Sequence, residues 1–364
     1  MPRPAHVYHV SLATGFRGGE AQAAYLIAAL AEEGLAQTLI APRDAPLLSR
    51  VAHVPLEVIQ VSGRAGAVGA LLRRGRTTDA AAVAHAHDGH AHTACWLAAL
   101  LGAGLDFVVS RRVARAPAGG GWAFGKYRHP RLRALLCVSE TVAELHRVAL
   151  GPTAPVRRVP DAVRVPSEGE PRELRTVIGV GADVPLIGTV AAVAPEKDPA
   201  TFVAACELLA AELPEAHFVH IGGGEEAEVR ALGELVALSR HRERFHLLGF
   251  RPDATALLGD LDVFLFTSRW EGLGSALLEA QARGVPAVTT DAGGTTEVVQ
   301  DYESGRVGPV GAPEVLAKAV LDVLRDRERT ALMVETARRR LASYSVARMV
   351  AGTLDAYARG GPRP

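Results

Sequence analysis

Short runs of β-branched and other apolar residues alternate with helix-patterned stretches from one end of the chain to the other. That alternation constrains the fold more than any single motif, because it is how strands and crossover helices of a parallel α/β sheet are written. In the first half it predicts strands over 6–10, 38–41, 82–86, 107–110 and 134–138, and helices over 20–33, 90–101 and 140–150. The second half repeats the scheme, with strands over 186–193, 217–221, 245–248, 263–266 and 287–289 and helices over 201–212, 225–238, 275–283 and 313–325. The strand runs are apolar throughout, as expected where helices cover both faces of a sheet. Pro160, Pro166, Gly169 and Pro171 sit among charges in between, a composition that suits a linker. The 364 residues therefore divide into domains over 1–165 and 166–345, with a last helix from about 346. Two such domains on one linker predict a cleft, and ligands of such sheets bind outside the carboxyl ends of the strands.

Composition removes several classes of function. Forty basic and forty acidic side chains cancel, so there is no global field for nucleic acid, and no nucleic-acid motif is present. Three cysteines, Cys95, Cys137 and Cys206, stand far apart without CxxC spacing, which fits a reduced cytoplasmic setting better than a disulfide framework or zinc-thiolate site. No signal-peptide pattern opens the chain, and the most apolar stretch, 94–109, is broken by Gly102, Gly104 and Asp106, so a spanning segment is not expected.

Several motifs fall directly after strands. Glu271-Gly272-Leu273-Gly274-Ser275 leads from the strand at 263–266 into a helix carrying Glu279. The glycines permit a turn close to a ligand, Ser275 could cap the helix, and the helix start suits an anion. With Glu271 in the loop and Glu279 on the helix, two carboxylates could reach different hydroxyls of one elongated ligand. Lys197, one of only three lysines, follows the strand at 186–193, where a cation can meet a phosphate. Gly15-Phe16-Arg17-Gly18-Gly19-Glu20 links the first strand to the first helix, and Arg17 could support an anion there. Gly222-Gly223-Gly224 lacks the full GxGxxG spacing and precedes Glu225, Glu226 and Glu228, which argues against a dinucleotide cofactor but leaves Gly223 free to line a nucleotide pocket.

His85, His87, His90 and His92 crowd the end of the third expected strand. Their spacing matches no standard short zinc motif; one imidazole, oriented by Asp88, could face a ligand. Between 111 and 133 lie seven basic side chains, among them Arg111, Arg112 and Lys126, and no acidic one, with Gly119–Gly121 suggesting a loop. An anionic acceptor or anionic lipid surface would account for that excess, as would a solvated loop.

In their order and placement these residues resemble the retaining, nucleotide-sugar-dependent glycosyltransferases of family 4, of GT-B architecture. The match runs through Gly18-Gly19 with Glu20, His85-x-His87-Asp88, Val159-Pro160-Asp161, Lys197, Gly249-Phe250-Arg251-x-Asp253, the Glu271-x7-Glu279 box and Asp291-Ala292-Gly293-Gly294-x-x-Glu297. The resemblance implies two Rossmann-like doubly wound domains facing across a cleft, with the last helix, 346–364, packed back on the first. It implies a UDP- or GDP-linked sugar donor on the second domain: Lys197 at the diphosphate, the backbone of Gly272, Leu273, Gly274 and Ser275 beside it, Glu279 on the ribose and Glu271 on the sugar. Gly223 and Arg251 would complete that side, and Gly18, Gly19 and Arg17 would approach the phosphates from the first domain, with His87 facing the sugar. His87, Lys197 and Glu271 are the catalytic candidates; Arg111, Arg112 and Lys126 are the acceptor candidates. No metal or cofactor is implied. The acceptor would be a cell-envelope glycan or glycolipid, reached in the cytoplasm or at the inner membrane face. An epimerase of the same architecture and a non-catalytic sugar-nucleotide-binding protein are the alternatives. One departure stands out: the arginine common five residues before the lysine is Ala192 here, leaving Arg251, Arg269 or Arg17 to compensate.

Overall fold

A computed structural model describes residues 3–77, 82–117, 122–166 and 173–358. Gly119–Gly121, Gly169, Pro171 and the tail beyond 358 lie outside the described residues. The chain divides into two compact units, one of 1–162 with 345–364 and one of 163–344.

The first unit holds a seven-stranded parallel sheet in the order β3-β2-β1-β4-β5-β6-β7. Its strands are β1 (His6–Val10), β2 (Ala36–Pro42), β3 (Glu57–Val61), β4 (Ala82–Ala86), β5 (Asp106–Arg111), β6 (Leu132–Cys137) and β7 (Val156–Arg158). Alternate residues feed opposite cores. Tyr8 and Val10 pack with helices Gly63–Thr77 and Gly89–Leu100, whereas Val7, Val83 and Val108 pack with Leu26 and Leu30 of helix Gly18–Glu32 and with Met349, Val350 and Tyr357 of helix Val346–Ala358.

The second unit repeats the winding with six parallel strands, β10-β9-β8-β11-β12-β13. These are β8 (Leu186–Val190), β9 (His217–Ile221), β10 (Phe245–Gly249), β11 (Val263–Phe266), β12 (Ala287–Thr290) and β13 (Arg306–Gly308). Ile187, Phe218, Val263, Leu265 and Val288 meet Phe202, Cys206 and Leu209 of helix Pro199–Glu212 and Leu316 and Val320 of helix Pro313–Arg325.

In both units strand order reverses at a central pair, β1/β4 in the first and β8/β11 in the second. There neighbouring crossovers leave on opposite faces and open a crevice at the carboxyl edge. The expected strands all form. Those missed, β3, β7 and β13, lie at or beside sheet edges and carry Glu57, Gln60, Arg157, Arg158 and Arg306, so they lack the apolar run of a buried strand. The run expected over 186–193 is regular only to Val190; Ala191 and Val193 still donate to the Ile221 and Gly223 carbonyls, but the pairing becomes irregular at the glycines after β9. Besides five short helices of four or five residues, two long ones lie outside the expected set: Gly63–Thr77 carries four glycines, and Arg327–Arg340 is dominated by charge. Among the described residues no helix is long and apolar enough to cross a membrane.

Candidate functional site

The carboxyl edge of the β8/β11 pair assembles most of the second-half motifs. After β8 the chain makes one 3-10 turn, Pro195–Lys197, and Asp198 then caps helix Pro199–Glu212 from a left-handed conformation (φ 48°). Asp198 accepts from the Thr201 N–H at 3.2 Å and the Thr201 hydroxyl at 2.8 Å, and pairs with Arg269 at 3.0 Å. The Thr267 hydroxyl, just past β11, donates to the carbonyls of Lys197 and Asp198 at 3.2 and 3.1 Å. Lys197 is thus carried on a turn pinned from two sides.

Its ammonium ion-pairs with Glu271 Oε2, and the other carboxylate oxygen accepts from the Gly272 N–H at 3.1 Å. Both side chains keep a minor share of their surface in solvent, 21% and 15%. The residues expected at a diphosphate and at a sugar therefore meet one another directly. Gly274 takes φ +88° as the residue before helix Ser275–Ala282 and offers no side-chain cap. Ser275 is the first helical residue, not the cap expected of it, so no hydroxyl occupies the amide-rich helix start. Glu279, one turn on, is half-buried with the Thr255 hydroxyl 3.2 Å from it, and loss of solvent around it raises its carboxyl above the ordinary range. Gly294 donates to the Glu271 carbonyl at 3.1 Å, and a Cβ there would lie 2.0 Å from the Gly272 carbonyl oxygen. The Asp291–Gly294 motif is a buttress for the Glu271 loop.

Other expected donor contacts have local duties. Arg251 is held by Asp253 through two hydrogen bonds, at 2.8 and 2.6 Å, and Arg269 by Asp198, so neither stands as an uncommitted replacement for the arginine missing at Ala192. Gly222 and Gly224 have a backbone reason to be glycine: a Cβ would fall 1.8 Å from the Ala191 oxygen and 2.1 Å from the Val193 oxygen. Gly223 lies against Phe250 and accepts from the Val193 N–H.

In the first unit, Gly18 and Gly19 open helix Gly18–Glu32, and the Arg17 N–H donates to Glu20 at 2.8 Å. The histidine cluster resolves into separate roles. His9, which stands outside the local cluster, joins His85 and His87 across the β1/β4 pair, with His9 Nδ1 and His87 Nε2 2.9 Å apart and the His85 and His87 rings stacked at 4.3 Å. All three are buried, and burial drives their pKa values down, His9 to about 4. Asp88 does not orient an imidazole. It caps helix Gly89–Leu100 through the Ala91 N–H and accepts from the Leu12 N–H at 2.6 Å. His9, His85 and His87 could in principle ligate a metal, yet both nitrogens of His9 and of His85 already face hydrogen-bond partners.

The basic segment changes character most. Arg112 forms a buried ion pair with Asp161 at 2.8 Å, and Arg111 donates to His146 at 3.2 Å. Arg131 and Arg133 share Asp106. Lys126 is half-buried over the Tyr127 ring, and burial lowers its pKa. Asp161 and Asp106 thus pair with Arg112, Arg131 and Arg133, three of the seven basic side chains of that segment. A separate depression of about 570 Å³ lies at the carboxyl ends of β1–β3, lined by Thr14, Arg43, Asp44, Gln60 and Ser62.

Residues 172–340, within which most of the second unit falls, match the family described as Glycosyl transferases group 1. Over 227 residues the chain is 29% identical to the phosphatidyl-myo-inositol mannosyltransferase of Mycolicibacterium smegmatis (59% of this chain, 54% of that protein). Over 178 residues it is 33% identical to the 2-deoxystreptamine N-acetyl-D-glucosaminyltransferase of Streptomyces fradiae (47% and 42%). The chain spans about half the length of the curated relatives it matches. Among solved structures it resembles Anabaena Alr3699/HepE in complex with UDP-glucose, with a TM-score of 0.83 at 18% identity over 96% of this chain and 99% of that one. A glycosyltransferase from Rickettsia africae gives 0.81 at 16% identity, over 97% and 98%. The fold is of the GT-B type.

Proposed function

We propose that this chain is a glycosyltransferase of the retaining family 4 kind, using a nucleoside diphosphate sugar and no metal ion. The observation that carries the proposal is the Lys197–Glu271 pair at the strand-order reversal of the second sheet, beside an uncapped helix start and a half-buried Glu279. Lys197 holds the diphosphate, displacing its present carboxylate partner; the freed Glu271 turns to hydroxyls of the sugar. The backbone of Gly272, Leu273, Gly274 and Ser275 lies along the phosphates, and Glu279 accepts from the ribose hydroxyls. For the first unit the roles of Gly18, Gly19 and Arg17 toward phosphate and of His87 toward the sugar rest on the resemblance alone.

The reaction breaks the bond between the sugar's anomeric carbon and the diphosphate oxygen. An acceptor hydroxyl forms the new bond from the leaving-group face, and its proton passes to the departing phosphate. Lys197 and the helix amides stabilise the charge that develops there. No side chain serves as a covalent nucleophile. The acceptor we favour is a cell-envelope glycan or glycolipid, met in the cytoplasm or at an anionic membrane surface; the HepE complexes with UDP and UDP-glucose make a uridine donor the first to try.

Calorimetric titration of the full chain with UDP, GDP and UDP-glucose tests the donor site. One diphosphate should bind, and Lys197→Ala should weaken it roughly tenfold to a hundredfold, the worth of one charge-assisted contact. Equal affinity in the variant removes Lys197 from the phosphate site. Proton NMR of the anomeric signal in a turnover mixture containing EDTA decides both retention and metal independence.

A further inference from the structure

The three central histidines of the first unit carry more information than their burial. A carbonyl oxygen can only accept, so the Gln37 amide is oriented by Ile27: its Nε2 donates to the Ile27 carbonyl at 3.0 Å, and its Oε1 must face His9. That oxygen lies 2.8 Å from His9 Nε2, which is therefore the protonated nitrogen of His9. Neutral His9 then presents a bare Nδ1 to His87 Nε2, 2.9 Å away, so His87 must donate from Nε2. The remaining nitrogen, His87 Nδ1, is left with a lone pair. It is buried and has no hydrogen-bond partner among the described residues, on a residue only 6% exposed. Burial and the Arg112 charge both disfavour the imidazolium form of His87. The ring is held in place by stacking on His85, whose nitrogens bond the Ser110 and Tyr357 hydroxyls at 2.9 and 2.7 Å.

We propose that Gln37 and His9 are positioning residues that fix His87 as the Nε2–H tautomer, so that His87 Nδ1 offers an acceptor for a hydroxyl group of the bound sugar. The part concerning the sugar rests on the functional reading above; the tautomer chain does not. A buried acceptor without a partner selects a ligand that brings an O–H and penalises one whose matching hydroxyl is replaced by hydrogen or methoxy.

Long-range ¹⁵N–¹H imidazole NMR of the full chain reads the tautomers directly, without ligand. His9 and His87 should both show a protonated Nε2 and a bare Nδ1 at neutral pH. A His87 protonated at Nδ1, or at both nitrogens, overturns the proposal, and the wild-type spectrum alone decides this even should a variant fail to fold. In Gln37→Met, His9 Nε2–H loses its acceptor and the bias between the two tautomers of the His9–His87 pair is removed, so His87 should show a mixture of Nε2–H and Nδ1–H; a His87 that stays wholly Nε2–H removes Gln37 from the chain. Zinc added alone at one equivalent should leave the spectrum unmoved, and joint shifts of all three imidazoles would make the cluster a metal site instead. With donor sugar, kcat/KM of Gln37→Met should fall roughly tenfold. The expected tautomers together with no response to any nucleotide sugar would sink the functional reading and the hydroxyl assignment while leaving the positioning chain intact.

Discussion

The two units wind their strands the same way and reverse strand order at equivalent places, yet they fill those places with opposite chemistry. At β1/β4 the first unit buries neutral imidazoles that hand a hydrogen-bond polarity from ring to ring. At β8/β11 the second sets an ammonium against a carboxylate at the rim, both within reach of solvent. A shared topology thus fixes where a site can be, while side chains decide what it can hold. The same contrast separates the ion pairs. Arg112–Asp161, with side chains 13% and 10% exposed, ties a loop to its own domain, whereas Lys197–Glu271 keeps somewhat more surface in solvent, 21% and 15%.

Acid should break the symmetry most visibly. His9 titrates near 4 in the folded chain, against an ordinary value of 6.5, so the unfolded chain binds a proton in that window that the folded one refuses. Stability therefore falls as pH drops from 6.5 to 4, by roughly 3 kcal/mol from this group alone. His85, His87 and His92 push the first unit the same way, while in the second unit His220 does so and Glu279 does the reverse. Hydrogen exchange at pH 5 should show the first unit opening before the second, and uniform opening would contradict the contrast. Next in size, Arg112→Leu removes the guanidinium that pairs with Asp161 at 2.8 Å and should cost about 2 kcal/mol of unfolding free energy. Its nucleoside diphosphate affinity should stay unchanged, in contrast to Lys197→Ala.

A smaller effect sharpens the exchange argument. Glu271→Gln removes the partner that the ligand must displace, so it should tighten the bare nucleoside diphosphate several-fold while slowing sugar transfer. Loss of diphosphate affinity in this variant would mean that Glu271 holds Lys197 in place and does not compete for it. Smallest is Glu279→Gln. Because burial raises the carboxyl's pKa, ionising it costs the folded state; the variant should be more stable than wild type at pH 7, with the gain vanishing as pH falls below the ordinary carboxylate range. Thermal melts at several pH values read this without any ligand.

Legibility followed local chemistry. The Glu271–Glu279 box, Lys197 after its strand and the glycine-opened first helix could be read because each is a short motif set by a strand end. Asp198 could have been found too, since an aspartate before Pro199 at the head of an apolar helix is a cap signal. His9 and Gln37 could not: they lie on β1 and β2, 78 and 50 residues from His87, and only lateral strand pairing brings them together. The basic segment misled for the same reason, because a charge count along the chain cannot see Asp161 arriving from 49 residues away.

Sequence alone settled what period and punctuation encode: parallel layering, the repetition of the scheme in two halves, and which loops follow strands, since each depends on neighbours within a few residues. Folding decided which charges are spent on one another, which nitrogen of His87 carries its proton, and that Lys197 is paired with the Glu271 carboxylate. Those outcomes depend on distances across a sheet, and a sheet pairs residues without regard to their separation along the chain.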